Sequence, residues 1–353
     1  MRTFFTLHRW FGWVLGPFLV ASAVTGLTLL WLQPLPVANQ VAPAPAQLAR
    51  AIDRGLSDLA RDHQALTLSY IDLPRAGEPI RIRLVPHQSA GEEFWAELDP
   101  ATGQVVGVLA DRSNAHAWLF NLHHQWLLGD AGSWPVGAVG LLAIVSLLIA
   151  MRLWLQVRKL RAPTSWRHWH RRVGIVMYAP LLVTLATGFV LSWPEAVRPT
   201  LALMAGESRF KAPVADAPKV PAQALSPGQA LEVGAAQLPG AVPTRLYAAK
   251  AGSYRLRLRA DEWHPNGLNS VYLSAHGGAV LRIVHWRELP LSTRYANVVY
   301  PLHIGWLPGS PTTSAAVALR LVLSASAVAL VWLVLSGLRW RTRHHARPSG
   351  RAA

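Results

Sequence analysis

The chain alternates between four long apolar stretches and two extended segments in which polar and apolar residues are mixed. An α-helix needs about 20 mostly apolar residues to cross a hydrocarbon layer of about 30 Å. Each of the four stretches meets this length and is rich in Leu, Val and Ala. The pattern therefore predicts four transmembrane helices, within residues 1–33, 134–157, 172–193 and 315–338.

The two mixed segments, residues 34–133 and 194–314, show the patterns of a small α+β fold. Each begins with a linker rich in Pro and Ala, at residues 34–46 and 213–221, and continues with a helical stretch. Stretches with an apolar residue at every second position follow, which is typical of antiparallel strands with one buried face. We expect helices at residues 46–62 and 227–237 (with Ser226 as N-cap), strands at 80–85, 94–98, 104–109, 254–259, 270–273 and 279–283, and turns at 99–103 and 274–278.

Composition supports a membrane protein, because 52% of the 353 residues are hydrophobic, 16 are Trp and only 15% are charged. The net charge of +16 is unevenly distributed. Of the 34 Lys and Arg residues, 14 lie in residues 1–31, 150–172 and 338–353, which contain no Asp or Glu, and the remaining 20 nearly balance the 18 acidic residues. Basic residues accumulate in cytoplasmic loops, so both termini, the loop 158–171 and the tail 339–353 are predicted to be cytoplasmic. The mixed segments then face outward, and a nucleic-acid partner is not expected.

The chain contains no Cys. Disulfides, iron–sulfur clusters, Cys-ligated zinc and thioether-linked haem are therefore excluded, and any redox cofactor needs other ligands. The sequence has no Walker, Gly-x-Gly-x-x-Gly, His-Glu-x-x-His or Gly-x-Ser-x-Gly motif, which argues against a flavin or nicotinamide domain in this chain. The first apolar stretch is longer than the apolar core of a signal peptide, so we expect it to be retained as a helix.

Two histidine patterns each occur twice. The first, His-Arg-x-x-Gly followed by Thr-Gly, begins at His8 and again at His170 with the same spacing. The second, Leu-His-x-x-Trp-Leu-x-Gly, contains His123 and again His303. Each of these histidines lies near the end of an apolar stretch. Two halves repeated in the same orientation predict a pseudo-two-fold axis along the membrane normal.

Such a repeat places equivalent residues across the axis at the same depth. His8 and His170 are then expected at the cytoplasmic side of the membrane, and His123 and His303 at the outer side. A haem iron held by two imidazoles needs ligands on opposite faces of the porphyrin, from two different helices. The sequence therefore predicts two haem b groups with bis-His ligation, one near each membrane face. The alternative is that the four histidines are ordinary polar residues at the membrane interface.

The outer segments and the helix ends resemble known families. The helix-then-sheet order with the turn Asp99-Pro-Ala-Thr-Gly103 is similar to PepSY domains, although Ala275-His-Gly-Gly278 replaces this turn in the second segment. The His-Arg-x-x-Gly and Leu-His helix ends are similar to the PepSY-associated transmembrane helix family. The resemblance implies a bacterial inner-membrane protein with two periplasmic PepSY-like modules. It also implies a connection with iron uptake, because the family includes di-haem reductases of ferric siderophores.

Four arginines are candidates for pairing with haem propionates, because a guanidinium binds a carboxylate with two parallel hydrogen bonds. Arg9 and Arg171 directly follow the histidines of the first pattern, and they can equally serve as positive-inside anchors. Arg152 lies near the inner end of the second apolar stretch. Arg320 lies inside the fourth stretch, where topology does not call for a charge, and a propionate is its preferred partner.

His124 and His168 adjoin the predicted ligands, and each is an alternative ligand or a contact for propionates or substrate. Glycines in the first and third apolar stretches provide the space that a flat porphyrin needs, or they allow helices to approach one another. These glycines are Gly12, Gly16, Gly26, Gly174 and Gly188.

We therefore expect a four-helix electron conduit that accepts electrons from an unidentified cytoplasmic donor or from membrane quinol. By resemblance, the acceptor is a ferric siderophore or another ferric chelate, whose weaker ferrous complex releases iron. One alternative is a non-redox membrane protein whose PepSY modules bind a peptide, a chelate or a partner while the helices anchor or signal. Another is a permease, which the lack of charges near the centres of the apolar stretches disfavours.

Overall fold

The chain forms two compact units in the computed structural model. The helical unit comprises Met1–Leu35, Leu119–Val197 and Leu302–Ala353, and the mixed unit comprises Pro36–Trp118 and Arg198–Pro301. The residues that the structure describes are 2–32, 43–74, 77–87, 92–156, 166–207, 224–307 and 314–345.

The secondary structure follows the predicted alternation of membrane-type helices with α+β segments. The helices are α1 (Arg2–Val14), α2 (Gly16–Leu32), α3 (Pro45–Asp62), α4 (Ala115–Gln125), α5 (Ser133–Gln156), α6 (Trp166–Val176), α7 (Tyr178–Ser192), α8 (Pro194–Ala205), α9 (Pro227–Ala236), α10 (Leu291–Arg294), α11 (Ala296–His303) and α12 (Ser314–His345). The strands are β1 (Leu66–Asp72), β2 (Ile80–Pro86), β3 (Phe94–Leu98), β4 (Val105–Ala110), β5 (Val242–Lys250), β6 (Ser253–Arg259), β7 (Asn269–Ser274) and β8 (Val280–Val284).

Two helical stretches of the described chain, Gly129–Gln156 and Ala315–Arg339, are each long and apolar enough to cross a membrane. The pairs α1–α2 and α6–α7 meet the same test only if each pair counts as one span. These pairs are bent by 55° and 64°. The described residues therefore contain two candidate spans, or four with the bent pairs, where the sequence predicted four uninterrupted helices.

A proline explains each bend. Pro17 and Pro180 lie in the first turns of α2 and α7, immediately after the breaks at Leu15 and Met177. Proline has no N–H to donate to the carbonyl four residues earlier, and its ring clashes with that carbonyl. The apolar pattern did not reveal these breaks, because the residues around both prolines are as apolar as a continuous span.

The bends let each pair change its packing partner partway along its length. In the first half α1 packs on α5 while α2 packs on α12. In the second half α6 packs on α12 while α7 packs mainly on α5. Helix α5 is therefore contacted by α1 and α7, whereas α12 is contacted by segments of both bent pairs, chiefly α2 and α6.

Two predicted boundaries differ from the structure. Residues 166–171, predicted as part of a basic cytoplasmic loop, already belong to α6, and residues 157–165 lie outside the described part. The predicted tail 339–353 continues α12 as far as His345. Residues 166–171 and 339–345 contain no Pro or Gly, so the helical hydrogen bonds continue past the end of the apolar sequence.

The mixed unit is built on one antiparallel sheet with the strand order β4-β3-β2-β1-β5-β6-β7-β8. Each half of the chain contributes four strands, and the pairing of β1 with β5 joins them. Tyr70 lies opposite Tyr247, and Asp72 lies opposite Arg245. The sequence predicted two separate modules, and the structure corrects this, because the strands of both halves belong to one sheet. In that sheet β5 covers the edge that β1 would otherwise expose.

Helices α3 and α9 pack against each other and against one face of this sheet. Ile52, Leu231 and the inward residues of the strands form a core with almost no exposed surface. Asp53 of α3 joins the two halves directly, because its carboxylate accepts hydrogen bonds from the N–H of Gly228 (2.8 Å) and the hydroxyl of Ser226 (2.6 Å). Ser226 is also the N-cap of α9, as predicted.

The predicted turn at residues 99–103 is present. The Asp99 carboxylate accepts hydrogen bonds from the N–H groups of Ala101 and Thr102 and from the Thr102 hydroxyl. Gly103 has a φ of +75°, and a Cβ there would lie 2.4 Å from the carbonyl oxygen of Ala51. The turn therefore requires glycine because it lies directly against the backbone of α3.

Candidate functional site: two histidine pairs

The histidines of the first pattern, His8 on α1 and His170 on α6, lie next to each other in the helical unit. Their ring centroids are 6.4 Å apart, and the ring planes make an angle of 71°. Both side chains are partly buried. The residues that the repeat matched across the two halves are thus close in space.

The histidines of the second pattern form a comparable pair. The ring centroids of His123 and His303 are 6.2 Å apart, with an angle of 39° between the planes. The sequence placed these residues at the entrances of the second and fourth membrane helices. They lie instead on the short helices α4 and α11, which precede α5 and α12. Residues after α4 turn with positive φ angles at Trp126 and Leu127, which separates α4 from the long helix.

Each of the four imidazoles is hydrogen-bonded through Nδ1. His8 Nδ1 lies 3.2 Å from the carbonyl oxygen of Ser146 and 2.9 Å from its hydroxyl. His123 Nδ1 lies 3.0 Å from the carbonyl oxygen of Ser22. A carbonyl oxygen only accepts, so both Nδ1 atoms carry the proton and donate it. The Nε2 atoms of these two rings therefore present a free lone pair.

The same tautomer follows for the other two rings from the hydroxyls that they contact. His170 Nδ1 lies 2.8 Å from Oγ of Ser336, whose own proton is directed to the carbonyl oxygen of Leu333. His303 Nδ1 lies 3.0 Å from Oγ1 of Thr187, which donates to the carbonyl oxygen of Val183. Each hydroxyl is left to accept from Nδ1–H, so Nε2 is again the nitrogen with the lone pair.

The Thr-Gly dipeptide of the first pattern supports the histidine of the second pattern. Thr25 Oγ1 lies 3.1 Å from His123 Nδ1, as Thr187 does for His303. A Cβ added at Gly26 would lie 2.8 Å from Cε1 of His123, and one at Gly188 would lie 3.1 Å from Cε1 of His303. The threonine thus orients the ring, and the glycine makes room for it.

The tryptophan of the second pattern holds the end of α4 against α2 in the first half. The Trp126 ring stacks on Phe18 with centroids 4.7 Å apart, and its Nε1 donates to the hydroxyl of Ser22 at 3.4 Å. Ser22 is the residue whose carbonyl oxygen accepts from His123. The repeated spacing between His and Trp therefore places both side chains on the same turn of α2.

The ring separations of both pairs are compatible with one metal atom between two imidazoles. A metal–imidazole bond is about 2 Å long and the ring centroid lies about 1 Å beyond the nitrogen, so two such ligands have centroids about 6 Å apart. The separations of 6.4 and 6.2 Å agree with this value. The four Nε2 lone pairs and the absence of Cys are also compatible with bis-His haem ligation.

The other predicted glycines, Gly12, Gly16 and Gly174, differ in the atoms that surround them. A Cβ at Gly16 would lie 2.8 Å from Val334, and one at Gly174 would lie 3.7 Å from Leu333, both on α12. A Cβ at Gly12 would meet nothing within 4 Å. The structure therefore assigns Gly16 to helix packing, and Gly26 with Gly188 to histidine packing. Of the five glycines that the sequence singled out, only Gly12 has open space beside it, as contact with a flat group would require.

Arg320 is the largest fully buried side chain among the described residues, with 2% of its surface exposed. Its stem packs on Gly305, two residues after His303, where a Cβ would lie 2.9 Å from Arg320 Cγ. Gly305 has a φ of +67° and also contacts Leu30. Arg320, a predicted propionate partner, therefore lies beside the backbone that follows His303, one of the two histidines of the second pair.

The remaining predicted arginines are nearer the surface. Arg9 and Arg152 are exposed and Arg171 is partly buried. Cζ of Arg152 lies 4.9 Å from the ring centroid of Phe4 on α1, which is a cation–π contact. These positions suit membrane anchors as well as propionate partners, so both interpretations of Arg9 and Arg171 stand.

The alternative histidines have different surroundings from the paired ones. His124 stacks on Phe120 of its own helix, with ring centroids 5.5 Å apart. His168 is buried, and its ring meets that of Trp169 edge-on at 6.2 Å. Among the described ring contacts, His8 pairs with His170 and His123 pairs with His303. These are the pairs that the repeated spacing predicted.

The sequence did not single out Ser146, Ser336 or the carbonyl of Ser22. Ser146 follows His123 by 23 residues, whereas Ser336 follows His303 by 33, so the repeat offset does not connect the two serines. A hydroxyl in an apolar helix is a possible signal, because buried polar groups need partners. Several other serines share that feature, and it could not have distinguished these two.

The fold and the site define a membrane protein with a helical unit that presents two histidine pairs and a separate α+β unit. The family described as PepSY-associated TM region matches residues 5–343, so the chain belongs to this family and the resemblance stated from its sequence is confirmed. No curated protein matches the chain.

Proposed function

We propose that this protein is a di-haem b electron conduit of a bacterial inner membrane, in which His8 and His170 hold one haem and His123 and His303 hold the other. The four spans form a bundle of two parallel repeats, with both termini in the cytoplasm and the mixed unit in the periplasm. Electrons pass from a cytoplasmic or quinol donor to a periplasmic ferric chelate. By family resemblance, that chelate is a ferric siderophore.

One observation carries the proposal. Four histidines form two pairs whose ring separations match a single metal atom, and every one of the four has its Nδ1–H engaged. Ordinary interfacial histidines have no reason to share one tautomer and one spacing. Ligands of a metal do, because a hydrogen bond at Nδ1 fixes the ring and increases the basicity of Nε2.

Bound haem would supply one-electron iron chemistry, and the residues of this chain would set its position and potential. Ser146 and Ser336 orient the ligands of the first pair, and Thr25 and Thr187 orient those of the second. Arg320, whose stem packs beside Gly305, is proposed to pair with a propionate at the second site, because a guanidinium binds a carboxylate with two parallel hydrogen bonds.

In this proposal the two pairs lie at different depths in the membrane. His8 and Thr25, which contacts His123, are 17 residues apart along α1 and α2, or at most about 25 Å of helix. A hydrocarbon layer is about 30 Å thick, so the two sites divide it into shorter electron-transfer steps. The basic residues at the His8 end support a cytoplasmic location for the first pair.

A haem assay tests the cofactor and the pairing together. We expect purified full-length protein to give two haem b per chain in a pyridine haemochrome assay, and each of H8A, H170A, H123A and H303A to lose one. The double variant H8A/H170A should lose no more than either single variant, whereas H8A/H123A should lose both. The exposed His285→Ala is the control and should keep two.

The competing hypothesis, a non-redox PepSY membrane protein that binds or signals, predicts no haem in any of these proteins. Retention of both haems in all four single variants would also reject the proposed ligands. The reductase activity needs its own measurement. Dithionite-reduced protein should be reoxidised by ferric siderophore, and a ferrous-specific chelator should trap the released iron in an amount equal to the haem oxidised.

A further inference from the structure

The face of the eight-stranded sheet that points away from α3 and α9 carries two rows of polar side chains. In one row the register places Glu97, Arg81, Asp72, Arg245 and Arg257 side by side across β3, β2, β1, β5 and β6. In the next row it places Trp95, Arg83, Tyr70, Tyr247, Arg255 and Tyr272 side by side across β3 to β7.

Charges alternate along the first row until its last step. Arg81 pairs with Glu97 at 3.2 Å, and Arg245 pairs with Asp72 at 2.5 Å. The next residue is Arg257, directly opposite Arg245. Like charges opposite each other on neighbouring strands are destabilising, whereas opposite charges stabilise a sheet. The position where an acid would continue the alternation is therefore occupied by a second guanidinium.

The second row concentrates positive charge at the same place. Cζ of Arg255 lies 5.3 Å from the ring centroid of Tyr247 and 5.8 Å from that of Tyr272. Its Nε donates to the hydroxyl of Ser270 at 3.1 Å. Strands β5 to β8 contain no Asp or Glu, so their own sequences do not neutralise Arg255 and Arg257.

The pKa shifts of the ionisable neighbours agree with a positive potential at this place. Burial raises the pKa of Tyr247, but the charges of Arg257 and Arg245 outweigh it, and the net result is a lowered pKa. Burial lowers the pKa of Arg257 itself, the charge of Tyr247 and a side-chain hydrogen bond with it oppose this effect, and Arg255 and Arg245 add to it. Within the described residues, Arg257 Nε is buried and has no hydrogen-bond partner, although another nitrogen of its guanidinium donates to the carbonyl oxygen of Gly267.

We propose that Arg255 and Arg257, next to the Arg245–Asp72 pair, form a binding site for a carboxylate group of a soluble ligand, which takes the place of the missing acid in the first row. The inference rests on the proposed function for the identity of that ligand, an anionic, carboxylate-bearing ferric chelate. The Arg245 side chain is 23% exposed and Arg255 and Arg257 are partly buried, so this part of the sheet face is near solvent. Guanidiniums bind carboxylates in a bidentate geometry, and the neighbouring tyrosines can stack on the planar arms of a chelate.

Binding is measured by isothermal titration calorimetry on the full-length protein, with citrate, ferric citrate and a cationic ferric trihydroxamate as probes. We expect citrate and ferric citrate to bind and the cationic chelate to bind at least tenfold more weakly. R255Q and R257Q should each weaken citrate binding at least tenfold, and R257K should recover part of the loss. R81Q is the matched control, because Arg81 lies in the same row but has its acidic partner, and it should bind as the unmodified protein does.

Equal affinity in all four variants, or no heat with citrate at millimolar concentration, would overturn the site. Circular dichroism melts verify that R255Q and R257Q are folded. If R257Q does not fold, R257K, which preserves the positive charge, takes its place in the binding measurement. The outcome is separable from that of the proposed function. Two haems without citrate binding reject the site alone, whereas citrate binding without haem rejects the conduit and leaves the carboxylate site.

Discussion

Thr25 and His123 lie on different helices, and Oγ1 of Thr25 is 3.1 Å from Nδ1 of His123. Both residues belong to the first half of the chain, as do His8 and its partner Ser146. Each half therefore orients its own histidines, whereas each pair of rings is shared between the halves. The spacing of the repeated pattern must therefore allow both the hydrogen bonds within one half and the ring pairs between the two halves.

Replacing Thr25 with Val removes this hydrogen bond while keeping the shape of the side chain. Loss of such a partner of a metal ligand reduces metal affinity about 10- to 100-fold. We expect T25V to lower the occupancy or change the midpoint potential of one haem only, as measured by redox titration of the visible spectrum. Thr28→Val is the control, because the exposed Thr28 hydroxyl bonds its own helix at Val24. Identical spectra and potentials in T25V and T28V would contradict the role of Thr25.

A graded series of Gly→Ala changes tests how the glycines act. The added Cβ would lie 2.8 Å from the His123 ring in G26A, 3.1 Å from the His303 ring in G188A, and near no atom in G12A. We expect haem content to decrease most in G26A and less in G188A, with G12A retaining its haem unless that glycine itself contacts the porphyrin. A larger loss of haem in G12A than in G26A would instead support contact between the glycines and the porphyrin. It would contradict the assignment of Gly26 to packing against the His123 ring.

The mixed unit should lose stability in mild acid because of His264. This residue is buried and stacks on Tyr300 with centroids 4.7 Å apart. Burial, followed by the charges of Arg257 and Arg245, lowers the pKa of His264 from 6.5 to about 3. Below about pH 6.5 the unfolded chain therefore takes up a proton at His264 that the folded chain does not. The folded state is most stable above about pH 6.5, and its stability decreases as the pH falls towards 3.

Thermal melts of the full-length protein between pH 7.5 and 4 measure this effect. His264→Phe keeps a ring against Tyr300 but cannot be protonated, and its melting temperature should fall less steeply with pH. His276→Phe, an exposed histidine of the same unit, is the control and should follow the unmodified protein. Parallel pH profiles for H264F and H276F would show that His264 does not contribute.

Asp53 should stabilise the junction between the two halves of the mixed unit. Its carboxylate bonds the N–H of Gly228 and the hydroxyl of Ser226 at the start of α9. Loss of a helix-capping acceptor costs about 1 kcal/mol, and charged hydrogen bonds contribute somewhat more. We expect D53A to lower the melting temperature of the unit by several degrees. D58A, which breaks only an exposed pair with Arg61 on the same helix, should change it little.

Regular periodicity made most of the mixed unit predictable. The predicted helix 46–62 corresponds to α3, and the predicted strand 80–85 corresponds to β2. Strands β1 and β5 were not predicted, and their pairings with β2 and β6 have register shifts at Leu68–Tyr70 in β1 and around Pro243 in β5. These two strands join the halves, so their absence from the prediction explains why two modules were expected.

At the site, exact repetition of spacing predicted which histidines would be neighbours. The supporting hydroxyls were hidden, because a helix can present Ser146 or Ser336 to a ring from any position that faces it. The bends at Leu15 and Met177 were hidden as well. A proline shows that a helix can break, but the direction of the bend depends on contacts with α5 and α12 that exist only in the folded protein.

The pairing of β1 with β5 has a consequence for biosynthesis. Asp72 and Arg245, which meet across it, are 173 residues apart in the chain. While the ribosome completes α5, α6 and α7, β1 remains an open edge that can recruit other strands, and pairings between such distant segments form slowly. We therefore expect a nascent chain stopped before β5 to be prone to aggregation through the open edge of β1.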